Sequence, residues 1–192
     1  AMVNFHGSTS WGTDFARCIL GEWGDRPTTD VEAATDHLLK QGYIAPDRMA
    51  ITGGSYGGYL VAWLIGQTSR YTAAICHAGV TNLLGQWATD LTHGRRYSFG
   101  GLPWEDVESI HRWSPTDHSA GMTTPTLVIH GERDYRVVVT QGLELYGILQ
   151  DKGVASRLVY YPDEAHWILK PQNSLHWYGE FLGWLERHLQ RE

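Results

Sequence analysis

Residues 49–67 leave the chain little conformational choice. Met49-Ala50-Ile51-Thr52 is a short buried-type strand, and it runs with no spacer into Gly53-Gly54-Ser55-Tyr56-Gly57-Gly58. From Tyr59 to Gln67 the pattern is helical. Leu60, Val61, Trp63, Leu64 and Ile65 make it apolar nearly all round, the mark of a buried helix. A strand that turns straight into a buried helix needs a sheet on one side and a second layer on the other.

The rest of the chain repeats that alternation. Strand patterns cover 71–77, 126–130 and 156–161, and Val3-Asn4-Phe5 reads as the tail of another. Thr28 or Thr29 is the expected cap of a helix carrying Val31, Ala34, Leu38 and Leu39, ended by Gly42. Residues 80–122 form a less regular excursion. One helix is expected there after Thr81, and another started by Pro103 and running through Ile110. A helix from Val138 to Lys152 stops at Gly153. In the last helix Leu175, Tyr178, Leu182, Leu185 and Leu189 form one stripe. Strands separated by helices imply crossover connections and a mostly parallel α/β sheet covered on both faces. Repeats, low-complexity tracts and linkers are lacking, so residues 1–192 read as a single domain.

Composition narrows the function. A formal charge of −6 argues against a nucleic-acid or anionic-membrane surface. The one close basic pair, Arg95-Arg96, reads as a solvated loop. Cys18 and Cys76 make no disulfide framework, and no segment is apolar enough to span a membrane, so a soluble, cytoplasmic protein is expected. No HExxH pair, Cys/His cluster, GxGxxG or Walker pattern occurs; neither metal nor cofactor is expected.

What remains is nucleophilic chemistry. Gly53-x-Ser55-x-Gly57 lies between a strand and a helix, where a serine can be lifted above the sheet on a turn too sharp for side chains two residues away. The Tyr56 N–H, at the helix start, could then stabilise an oxyanion. A serine needs a base, and the base an orienting carboxylate. Asp134 follows the strand ending at His130, and His166 follows the strand ending at Tyr161. Taken singly, they are an ordinary loop carboxylate and an ordinary surface histidine. Together they give the order Ser, Asp, His, each in a loop after a strand, which is the α/β-hydrolase arrangement.

These segments resemble the catalytic domain of the prolyl oligopeptidase family of serine peptidases, in particular its acylaminoacyl-peptidase branch. Asn4-Phe5-His6-Gly7-Ser8-Thr9 is similar to the family's N-x-R-G-S-T, followed by Trp11-Gly12. Gly53-Gly54-Ser55-Tyr56-Gly57-Gly58-Tyr59 resembles its nucleophile motif. His130-Gly131-Glu132-Arg133-Asp134-Tyr135-Arg136-Val137 is similar to its acid loop, and Asp163-Glu164-Ala165-His166 to its histidine loop. The resemblance implies that Arg136 holds a substrate carbonyl, though a plain surface cation fits the residue equally well. It also implies that Val137 lines the pocket beside the serine.

Two departures shape further expectations. His6 stands where the family has arginine, and the chain starts where the family is already deep in its catalytic domain, so an N-terminally truncated fold is expected. The family's second oxyanion donor comes from a strand and H-G-G-P-like loop that precede this point. A vacant slot is therefore expected beside residues 49–53, with an exposed edge favouring a homo-oligomer. Residues 3–8 could slip into that slot and offer the Gly7 or Ser8 amide as a substitute donor; the alternative is that they keep their family position. The expected reaction is hydrolysis of peptide or acyl-amino-acid bonds through an acyl-enzyme on Ser55. A carboxylesterase acting on small esters and a catalytically impaired fragment are the competing readings.

Overall fold

Four strands, β1 (Ala50–Gly54), β2 (Ala73–His77), β3 (Thr126–Gly131) and β4 (Ser156–Tyr161), pair in parallel in the order β1-β2-β3-β4. The computed structural model describes residues 1–91 and 93–190, Ser10 by its backbone alone. The helices are α1 (Thr13–Arg17), α2 (Asp25–Leu39), α3 (Tyr56–Gln67), α4 (Leu83–Gln86), α5 (Arg95–Phe99), α6 (Val107–Arg112), α7 (Thr140–Asp151) and α8 (Pro171–Leu189). Four of the five strand patterns read from the sequence are therefore present, and Val3-Asn4-Phe5 forms none. The register pairs Gly54 with His77, His77 with Ile129 and Gly131 with Tyr161, so the loops after all four strands open along one end of the sheet.

Alternation along β2 sorts the layers. Ala74 and Cys76 face Val61, Ala62 and Ile65 of α3 and Leu145 and Leu149 of α7. Ala73 and Ile75 face the other way, onto Ile168 and Trp184. A strand buried on both faces has no polar side to show, which explains the unbroken apolar run of 73–76. A third cluster, built from Trp23, Tyr59, Leu83, Phe99, Ile110 and Val137, joins α3 to the excursion and to the acid loop.

Several local expectations are corrected. Helix α2 begins at Asp25, ahead of Thr28, because Pro27 falls in its first turn, where a missing N–H costs nothing. Pro103 starts no helix; α6 begins at Val107, capped by the Asp106 carboxylate accepting from Ser109 N at 3.0 Å. In α8 the face packed on the sheet is Trp177, Phe181, Trp184 and Leu185; of the expected stripe Leu185 lies on it, whereas Leu175, Tyr178 and Leu182 are exposed. Tryptophan and phenylalanine bury more area per residue than leucine, and they win the sheet-facing side.

Among the described residues strand β1 is an edge strand, bonded to β2. Along its other side runs a cavity of about 640 Å³, with Val3 and Phe5 lining one wall and Ala50, Ile51 and Thr52 another. Residues 3–8 do not form a strand on β1. They are held instead by α1 and α2: Gly7 N donates to Phe15 O at 2.9 Å, and His6 N donates to Asp30 Oδ2 at 2.6 Å. No helix among the described residues is long and apolar enough to cross a membrane.

Candidate active site

Ser55 sits between β1 and α3 at φ 58°, ψ −119°, a strained conformation for a residue with a side chain. The turn is pinned from two sides. Ser55 N donates to His77 O at 2.9 Å, and Tyr59 N donates to Ser55 O at 2.9 Å, opening the helix. A Cβ on Gly53 would strike the Gly57 backbone, so glycine is obligatory there. At Gly57 itself a Cβ would meet nothing, because that residue lines the cavity beside β1. The second steric demand falls on Gly58, where a Cβ would come within 2.6 Å of Gly79 Cα. The expectation that both glycines two residues from the serine must lack side chains thus holds for Gly53 alone.

Tyr56 is the first residue of α3, and amides of a first helical turn have no intrahelical acceptor. Its ring anchors the turn: the hydroxyl donates to Trp23 O at 2.6 Å, and the ring packs against Phe5, Trp23 and Tyr59. Burial, reinforced by Cys18, pushes the phenol well above its ordinary pKa.

Asp134 and His166 are brought together. Asp134 is almost fully buried; its Oδ2 accepts from His166 Nδ1 at 2.7 Å, and its Oδ1 accepts from Val137 N at 2.8 Å and Arg136 N at 3.0 Å. Burial works to raise the carboxyl pKa. Hydrogen bonding from His130, His166 and Val137 N outweighs it and holds the group ionised, below its ordinary 3.8. An ionised Asp134 can only accept, so His166 carries its proton on Nδ1 and leaves Nε2 free to take one.

The two loops are stapled together. Arg133 N donates to Glu164 O at 2.9 Å, and the buried Glu164 carboxylate accepts from Leu169 N, Lys170 N and Asn173 Nδ2. Trp167, next to His166, lies over the end of β1: a Cβ on Gly54 would be 3.0 Å from its ring. That contact carries the histidine loop to the residue beside Ser55. The Trp167 ring also meets His77 edge-on at 5.6 Å. His77 is buried and, with repulsion from His130 and His166 adding to the effect of burial, its pKa falls to about 4. Its place in an apolar strand hid this neighbourhood from the sequence. Among the described residues no group of His, Cys, Asp and Glu could hold a metal ion.

The family model of the prolyl oligopeptidase family matches residues 1–192. The chain belongs to that family. Among the relatives of this prolyl oligopeptidase family member are two dipeptidyl-peptidases 5. That of Schizosaccharomyces pombe is 37% identical over 93% of this chain and 27% of its own length. That of Porphyromonas gingivalis is 37% identical over 98% and 28%. The acylaminoacyl peptidase of Pyrococcus horikoshii superposes with a TM-score of 0.94 at 27% identity, over 98% of this chain and 32% of that one. The chain thus spans about a third or less of the length of these relatives, and its parallel sheet with flanking helices is the α/β-hydrolase fold.

The other residues that the family resemblance singled out divide. Val137 is buried in the cluster with Tyr59, Trp23 and Phe99, one wall of which carries Tyr56. Arg136 is half exposed, with Nε donating to both oxygens of Asp90 at 2.9 and 2.8 Å, so its guanidinium is steered rather than free. Gly7 is not brought to Ser55 as a donor. Its amide is used by Phe15 O, and that of Ser8 by Phe5 O, which corrects the substitute-donor expectation.

Proposed function

We propose that this prolyl oligopeptidase family chain is the catalytic part of a serine peptidase acting through an acyl-enzyme on Ser55. The observation that carries the reading is the buried Asp134 carboxylate on His166 Nδ1, in a loop whose Trp167 touches Gly54. His166 Nε2 removes the Ser55 proton as the hydroxyl attacks the scissile carbonyl, and Asp134 stabilises the resulting imidazolium. The Tyr56 N–H takes the developing oxyanion. His166 then protonates the leaving amine, and water repeats the sequence to free the acyl group. The names of the relatives, dipeptidyl-peptidase 5 and acylaminoacyl peptidase, support short peptides or acylated amino acids as substrates.

A carboxylesterase acting on small esters is the competing reading, because the same serine, histidine and carboxylate chemistry cleaves esters. Labelling with a fluorophosphonate probe, abolished by Ser55→Ala, tests the nucleophile. Turnover of a peptide nitroanilide against a nitrophenyl ester then separates the two activities. Absence of labelling in the folded protein would leave an impaired fragment.

A further inference from the structure

The pair Arg95-Arg96 reads from the sequence as a solvated loop, and the structure splits it. The Arg96 side chain stays more than half exposed, near Glu105. Arg95 turns inward and keeps only 8% of its surface accessible. Its Nη2 donates to Thr89 Oγ1 at 3.1 Å, and its guanidinium carbon lies 5.4 Å from the centre of the Phe99 ring. Its Nε has no partner, and among the described residues no carboxylate lies within ion-pair distance of it. The carboxylate whose field it feels is Asp90, and both oxygens of Asp90 are already taken by Arg136. Two cations share one anion, and one of the cations is desolvated.

Next to it, Gln86 is fully buried, donates Nε2 to Arg136 O at 2.5 Å and leaves Oε1 without a partner. A desolvated guanidinium facing no anion is costly, as is a buried amide oxygen with no donor. Both meet at Thr89 Oγ1, and packing and hydrogen bonds run from them towards the candidate active site. Phe99, under the guanidinium, packs on Trp23 at 5.0 Å, and Trp23 packs on Tyr56 at 5.2 Å, the residue after Ser55. Arg136 lies two residues from Asp134.

We infer that Arg95, with Gln86 beside it, is a recognition site for a carboxylate on the substrate, giving the enzyme a preference for acidic peptides or acyl groups. The guanidinium fork matches a carboxylate, and Gln86, sharing Thr89 Oγ1 with Arg95, helps hold the fork in place. The inference rests on the hydrolase reading of Ser55. The carboxylate could be an acidic side chain on the acyl side or the free C-terminus of the leaving group.

Two substrate pairs distinguish the sources: acetyl-Glu against acetyl-Gln nitroanilide, and acetyl-Leu-Gly against its C-terminal amide. In one pair kcat/KM should favour the charged member by about 10-fold, the scale of one charge-assisted contact. Arg95→Met should bring that ratio close to one. Should the methionine variant fail to fold, Arg95→Lys keeps the charge, loses the fork and should lower the ratio several-fold. A ratio near one for both pairs in the unaltered protein, or a ratio that survives Arg95→Met, would overturn the inference. A chain inactive on every substrate sinks the hydrolase reading instead, and a thermal-shift titration then decides. Glutarate, but not glutaramide, should raise the Tm; equal shifts or none would count against Arg95.

Discussion

His166 Nδ1 and Asp134 Oδ2 stand 2.7 Å apart, with the Asp134 side chain wholly buried and that of His166 still 17% exposed. The carboxylate is locked, and the imidazole stays within reach of solvent. Asp134→Asn should therefore lower kcat by about 10³–10⁴-fold, because an amide can stabilise the wrong tautomer and no imidazolium. Stability should respond to pH with a definite sign. The folded carboxyl titrates below its ordinary 3.8, so its contribution is complete above that pH and is lost as pH falls through the lower folded value. Denaturant titrations of both proteins should show the stability gap narrowing below pH 3.8; a gap constant with pH would refute the ionised assignment.

His77 gives a second pH signature in a different window. Its pKa is lowered from 6.5 to about 4, so the unfolded chain binds the proton more readily than the folded one across that interval. Stability should fall as pH drops from 6.5 towards 4, by up to about 3 kcal/mol. His77→Leu, which keeps the packing against Trp167 and Trp177, should flatten that slope. An unchanged slope would mean that His77 does not carry it.

The glycines of the nucleophile turn separate motif from mechanics. Gly53→Ala should remove activity and destabilise the fold, since its Cβ meets the Gly57 backbone. Gly57→Ala meets nothing and lies in the first turn of α3. It should leave stability unchanged or raise it by about 0.5–1 kcal/mol, as alanine for glycine does in helices. Thermal denaturation of the two variants, with probe labelling, reads both outcomes.

Much of this was legible in the chain. Short apolar runs gave all four strands, and the order Ser55, Asp134, His166 put the candidate site at one end of the sheet. What escaped was set by contacts between distant segments. Nothing local says that Trp177, Phe181 and Trp184 take the sheet face of α8 from Leu175, Tyr178 and Leu182, because both sets recur at helical spacing. Arg95 and Arg96 are alike in sequence, and only the turn of α5, which sets Arg95 over Phe99 and against Thr89, buries one of them. Gly57 matches a motif, whereas the space around it depends on what lies beside β1.

The same edge bears on assembly. Among the described residues β1 is unpaired on one side, and Leu175, Tyr178 and Leu182 expose apolar surface on α8. Exposed edges and patches of this kind favour self-association. Light scattering over a concentration series should report a dimer or larger species; a monodisperse monomer at high concentration would contradict this.

Glu164 should act as a positioning residue. Its carboxylate gathers Leu169 N at 3.2 Å, Lys170 N at 3.0 Å and Asn173 Nδ2 at 2.7 Å, closing the loop that presents His166. Its own carbonyl takes Arg133 N from the acid loop, so a shift at Glu164 moves the base relative to Asp134. Glu164→Ala strips Leu169 N and Lys170 N of their acceptor, while Asn173 Nδ2 keeps Asp163 Oδ1, and each orphaned group costs on the order of 1–3 kcal/mol. Glu164→Gln keeps one acceptor oxygen and should recover most of the loss. The effect should fall on kcat, by roughly 10–100-fold for alanine, while KM changes little, because the residue touches no substrate. A merely structural role would lower the Tm without altering kcat of the folded fraction. Active-site titration with the fluorophosphonate probe, used to normalise kcat, distinguishes the two. Equal kcat per labelled site in Glu164→Ala and the unaltered protein would show that the loop holds His166 without it.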